Sequence, residues 1–158
     1  MSSVETRVLQ YKTLADKWSK QTGVPAALIL ATIEQESGGN PSATRHEPGF
    51  LRRHAKGCNQ LAESAHVSPE AVATSYGLMQ LLLSTAWGYM SKDDRAKPVE
   101  ALLDVERNIR YGAAHLAALS LTHHGTRAIA GAYNGGGETS QYARNIEALE
   151  RKYEELIN

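Results

Sequence analysis

Two carboxylates two residues apart, Glu34 and Glu36, close an apolar run in the stretch ATIEQESGGNPSA, Ala31 to Ala43. The run then breaks at Ser37-Gly38-Gly39-Asn40-Pro41. On a helix, Ile29, Ile33 and Glu36 fall on one face, while Glu34 lies towards Ala27, Leu30 and Ala31. Apolar neighbours desolvate a carboxylate, and the negative end of the helix dipole repels its charge. Both effects favour the protonated form, and the adjacent glycines let a bulky ligand approach. A glutamic acid kept protonated near neutral pH is suited to general acid catalysis. Glu36 ranks above Glu34 for that role by its face and by its place beside the break. On this helix alone, a solvated surface glutamate explains either residue more simply.

The other reactive side chains form no competing pattern. His46, His54, His66, His115, His123 and His124 make no H-E-x-x-H pair, and Cys58 has no second cysteine to join. No metal, no cofactor, no catalytic thiol and no internal disulfide is expected. The glycine-rich NGGGETS, Asn134 to Ser140, lacks the Lys-Ser/Thr ending and the preceding strand of a phosphate loop. It suits a cleft wall and a turn into the last helix. Trp18 and Trp87 suit packing, Trp87 being the better placed of the two for a cleft.

The elements that must carry these residues are helical. Val4 to Thr22 has Val8, Leu9, Leu14, Ala15 and Trp18 at helical spacing, with Gly23 as its C-cap. Pro25 opens a second helix to about Ser37. Residues 42 to 67 carry little periodic signal and predict a long excursion with one short helix near 59 to 66. Ser68 and Pro69 mark a helix start. Asp104 to His123 and Thr126 to Tyr133 predict two further helices. Tyr142, Ile146, Leu149, Tyr153 and Leu156 form the apolar stripe of a C-terminal helix over about 139 to 157. Tyr142 suits either that stripe or a sugar contact. No period-two run predicts a strand, so the class is all-α, with residues 1–158 as one domain and the core at about 25 to 145.

The bulk composition narrows the partners. Seventeen basic residues balance seventeen acidic ones in 158 residues, which argues against nucleic acid or an anionic membrane as main partner. The longest apolar run, AALILATI, is far too short to span a bilayer, so no stable membrane insertion is expected. The polar start MSSVETRVLQYKTLADKW has no signal-peptide core. The C-terminal stripe is short for a coiled-coil seam, which favours a monomer.

Three blocks in order, ESGGNPSA (Glu36 to Ala43), SYGLMQLLLSTA (Ser75 to Ala86) and AYNGG (Ala132 to Gly136), resemble the soluble-type lytic transglycosylases, whose fold goose-type lysozymes share. The resemblance implies a lysozyme-like α-domain with a cleft for peptidoglycan glycan strands. It makes Glu36 the catalytic acid/base and places Ser75, Tyr76, Met79, Gln80, Tyr133 and Asn134 at the substrate. Ser37 matches the motif and suits a structural role at the helix end. The implied reaction cleaves the β-1,4 bond after N-acetylmuramic acid and leaves a 1,6-anhydro end. The chain departs from the family pattern at Arg45, where many members carry serine, and at Leu83-Ser84, where a proline is common. RHEPGFLRRH, Arg45 to His54, is similar to a stretch of some phage transglycosylase-like domains and offers Glu47 as a second carboxylate. Facing a cleft, Glu47 would permit hydrolysis as in a muramidase; paired with Arg45, Arg52 or Arg53 it would only fix the loop, the reading the basic neighbours favour. A non-catalytic glycan-binding module is the alternative outside enzymes. The site of action implied is the periplasm or cell wall, reached by phage delivery as an endolysin or virion-associated enzyme, by a secretion-associated route, or after removal of a leader.

Overall fold

A computed structural model describes residues 1–158. Twelve helices follow one another: α1 (Ser3–Leu9), α2 (Lys12–Thr22), α3 (Ala26–Ser37), α4 (Pro48–Arg53), α5 (Ala55–Ala65), α6 (Pro69–Val72), α7 (Leu83–Ala86), α8 (Lys92–Ala96), α9 (Pro98–Leu103), α10 (Val105–Ser120), α11 (Thr126–Asn134) and α12 (Gln141–Ile157). Three short strands, β1 (Thr44–His46), β2 (Thr74–Tyr76) and β3 (Leu81–Leu82), form an antiparallel sheet in the order β1-β2-β3. The fold is helical, as the sequence predicts. The sheet was not predicted, because strands of two or three residues are too short to show alternation. The excursion over 42 to 67 is also more ordered than its sequence suggests: β1, α4 and α5 occupy most of it.

The chain divides into two compact units, Met1–Gly39 with Gly112–Asn158, and Asn40–Tyr111. In the first, α3 is the core. Ala27 to Ile33 are seven consecutive buried residues, which explains the all-round apolar sequence. Each buried Leu or Ile there contributes about 1.5–3 kcal/mol. α12 packs most extensively on α3, and α1, α2, α11 and the second half of α10 belong to the same unit. The single helix expected over 4 to 22 is broken between α1 and α2. The break turns Tyr11 inwards, where its hydroxyl reaches the Gly39 carbonyl at 3.5 Å.

α3 ends as its sequence demands. Gly38 takes the left-handed conformation, φ +61°, and its N–H donates to the Glu34 carbonyl. Ser37 Oγ donates to the Ile33 carbonyl at 3.1 Å and accepts the Gly39 N–H at 3.2 Å. This serine therefore satisfies the helix end.

In the second unit a buried amide organises the GLMQ turn. Asn108 is 1 % exposed. Its Oδ1 accepts the Met79 N–H at 2.8 Å, and its Nδ2 donates to the Tyr76 and Leu102 carbonyls, each at 2.8 Å. Gly77 sits against this amide with φ +78°, and a Cβ there would also lie 2.6 Å from the Leu102 carbonyl oxygen. Glycine is therefore required twice over, by conformation and by space.

Candidate active site

Glu34 and Glu36 lie on nearly opposite sides of α3, and α12 engages each differently. Glu34 Oε1 accepts from Lys152 Nζ at 2.6 Å and from the Tyr153 hydroxyl at 2.6 Å. Lys152 also reaches Glu5 at 3.3 Å, and Glu5 closes the capping box of α1 through Ser2. Glu34 is thus held in an ionic cluster that ties α1, α3 and α12 together. Its position beside Ala27, Leu30 and Ala31 in the sequence reflects packing, not chemistry.

Glu36 meets a different group. The Tyr142 hydroxyl donates to Glu36 Oε2 at 2.6 Å. Tyr142 and Tyr153 are eleven residues apart, about three helical turns, so both lie on the α12 stripe. One inner stripe thus brings one hydroxyl to each acid. Burial first, and the Glu36 charge second, push the Tyr142 hydroxyl far above the usual phenol range. The same two causes, in the same order, raise Tyr133 well above it. Both phenols are held neutral beside a half-buried carboxyl. They can donate hydrogen bonds to it but cannot take its proton. The Tyr133 ring also rests on His115, with centroids 5.4 Å apart, and burial lowers the His115 pKa. Asn134, the last residue of α11, is exposed.

The α11 end depends on a close approach. Gly135 and Gly137 both donate their N–H to the Gly131 carbonyl, at 2.8 and 3.2 Å. A Cβ on Gly131 would collide with the Gly137 backbone. NGGGETS is therefore a fold-back after Tyr133 and carries no strand before it.

The second unit holds the remaining predicted residues. Gln80 is half-buried and has φ +49°; its Nε2 donates to the Ala43 and Gly77 carbonyls, each at 3.0 Å. The end of the ESGGNPSA block is thereby pinned to the GLMQ turn. Met79 is 0 % exposed and Tyr76 5 %, with the Tyr76 hydroxyl donating to the Ala71 carbonyl at 2.8 Å. Both side chains are interior. Ser75, also buried, lies in β2 opposite Arg45. Glu47 pairs with Arg45 at 3.4 Å, and its N–H donates to the Ala73 carbonyl at 2.8 Å. Trp87 is covered by the Arg95 guanidinium, 4.9 Å from its ring centre. Cys58 is buried, and burial raises its thiol pKa. No three His, Cys, Asp or Glu side chains come together in a way that could hold a metal ion. No helix is long and apolar enough to cross a membrane.

The transglycosylase SLT domain model matches residues 13–155. The chain belongs to the SLT transglycosylase family. As a member it is a peptidoglycan-cleaving enzyme. Its fold is similar to the crystal structure of a Burkholderia AP3 phage endolysin, with a TM-score of 0.64 and 18% identity over 93% of this chain and 71% of that one. At that identity the likeness speaks for the fold alone. No curated protein matches the sequence.

Lys152 and Tyr153, the partners of Glu34, and Asn108 are not among the residues that the sequence motifs single out. Asn108 had a signal: it is a polar residue next to Ile109 on the apolar side of a long helix. Lys152 had none, because a lysine on an amphipathic helix normally belongs to the solvated face.

Proposed function

We propose that this SLT-family enzyme is a lytic transglycosylase that cleaves the β-1,4 bond between N-acetylmuramic acid and N-acetylglucosamine, with Glu36 as its single acid/base. The observation that carries the reading is the Tyr142 hydroxyl on Glu36 Oε2 at 2.6 Å, while the neighbouring Glu34 is bound to Lys152 and Tyr153. One acid is committed to structure and the other accepts the hydroxyl of a neutral phenol.

Glu36 first gives its proton to the glycosidic oxygen as that bond breaks. The positive charge that develops at C1 is met by the 2-acetamido oxygen of the same sugar, a route outside the two-carboxylate scheme. Glu36, now a carboxylate, accepts the hydrogen bond of Tyr142 more strongly. It then takes the proton of the sugar 6-hydroxyl, whose oxygen closes on C1. The enzyme ends as it began, and no water is consumed. Tyr133 and Asn134 are assigned to the sugars, and Ser75, Tyr76, Met79 and Gln80 keep the sugar contacts that their motif implies. In the inverting scheme, hydrolysis uses a second carboxylate to orient a water. The pairing of Glu47 with Arg45 supports the single-carboxylate route. The enzyme works as a monomer on the cell wall, delivered by a phage or by export.

Glu36→Gln is expected to lower the rate of wall digestion by about a hundredfold or more, the scale of a lost general acid. Glu34→Gln keeps most of its activity under conditions where it is folded. Equal loss in both variants, measured by turbidity of purified sacculi, would refute the assignment.

A further inference from the structure

Charge is unevenly spread along this neutral chain. Residues 45–62 contain four of its 17 Lys and Arg but only one of its 17 Asp and Glu. That one acid, Glu47, is already taken by Arg45. Arg52, Arg53 and Lys56, at the end of α4 and the start of α5, are exposed and form no ion pair. The two guanidiniums converge. A Cβ on Gly49 would lie 3.0 Å from Arg53 Nη1 and 3.8 Å from Arg52 Nη2, so these nitrogens are no further apart than the sum of the two distances. Two like charges brought together over a bare glycine, with no counter-charge on the chain, form an incomplete arrangement. Guanidinium forks complete it with planar anions, which they bind through paired hydrogen bonds.

We propose that Arg52, Arg53 and Lys56 bind the free carboxylates of peptidoglycan stem peptides and hold the enzyme to peptide-bearing wall. This rests on the wall-cleaving reading above. It adds a preference for strands that still carry their peptides, a preference the Glu36 chemistry does not itself create. Carboxylate is chosen over phosphate because every peptide-bearing strand of the substrate presents it. The α4–α5 face is the interaction surface, and none of its residues is assigned to catalysis.

The test uses the full chain carrying Glu36→Gln, so that the substrate is bound but not consumed. Its retention is compared with that of the same chain carrying Arg52→Gln, Arg53→Gln and Lys56→Gln. The probes are intact sacculi, sacculi whose free carboxylates have been capped as neutral amides, and vesicles containing anionic phospholipid. The expected result is a loss of about fivefold or more on intact sacculi at low salt, shrinking as salt is raised, with no difference on capped sacculi. With Glu36 restored, the triple variant cleaves capped sacculi at the parent rate. Equal retention of the two proteins on intact sacculi overturns the proposal. So does an equal loss on intact and capped sacculi, or a loss confined to vesicles. Failure of the Glu36-containing chain to cleave either substrate would count against the enzymatic reading, and the binding comparison would still decide this one.

Discussion

Tyr142→Phe removes one hydroxyl and keeps the ring that packs on the α12 stripe. The lost bond is the 2.6 Å donation to Glu36 Oε2. A hydrogen bond to a charged group contributes about 1.5–3 kcal/mol, and one pKa unit corresponds to about 1.36 kcal/mol. The hydroxyl favours the carboxylate over the carboxylic acid, as the reciprocal upward push on Tyr142 by the Glu36 charge also indicates. Its removal therefore raises the Glu36 pKa, by about one to two units at these magnitudes. The acid form then persists to higher pH, so the alkaline limb of kcat/KM moves upwards by about one unit or more. The plateau falls about tenfold, because the carboxylate formed in the first step loses a donor. The assay is release of soluble muropeptides from sacculi across a pH series, with circular dichroism to confirm that the variant is folded. An alkaline limb that stays in place or moves down would refute the reasoning, because Tyr142 would then not act through the ionisation of Glu36.

Lys152→Met breaks the bond to Glu34 and leaves that acid with the Tyr153 hydroxyl; Lys152 is 31% exposed, so the loss is discounted to about 1–2 kcal/mol and a fall of roughly 3–6 °C in Tm, read by thermal unfolding. Glu150 behaves in the opposite sense. Burial raises its carboxyl; the Thr126 hydroxyl pulls it back in part, and the charges of Glu154 and Glu147 add to the rise. A carboxyl raised on folding favours the folded chain below its unfolded pKa, and that advantage is lost as pH rises through the folded value. Glu150→Gln, which keeps an acceptor for Thr126, is therefore expected to raise Tm relative to the parent at about pH 7 and to lose the gain near about pH 4. An equal gain at both pH values would mean that the carboxyl charge is not responsible.

The sequence carried the helical framework because that framework depends on local signals. The all-round apolar run before Ile33, the Gly38 cap, Ser68 before Pro69 and the four-three stripe of the last helix each correspond to an element in place. It missed what depends on tertiary closure. Asn108 and Gln80 tie the turn between β2 and β3 to distant parts of the chain, and neither amide shows in a hydrophobic pattern. The α1–α2 break is likewise set by where Tyr11 goes. Helices α8 and α9 were missed because five- and six-residue helices show too little period.

The two acids of the site illustrate the same division. Local sequence could rank Glu36 over Glu34 only by face and position. Their different partners come from more than a hundred residues away, Tyr142 for one and Lys152 and Tyr153 for the other. In the opposite case, Met79 and Tyr76 were legible as motif residues, but their depth was not. Period and motif say which residues belong together, while depth is set by the packing of distant segments.

The most direct measurement of the central claim is mass spectrometry of the muropeptides released from purified peptidoglycan by the parent chain and by Glu36→Gln. The account predicts 1,6-anhydromuramic ends from the parent and none above background from the variant. Reducing muramic ends from the parent would contradict it, since water would then have entered the reaction that Glu36 is held to complete alone.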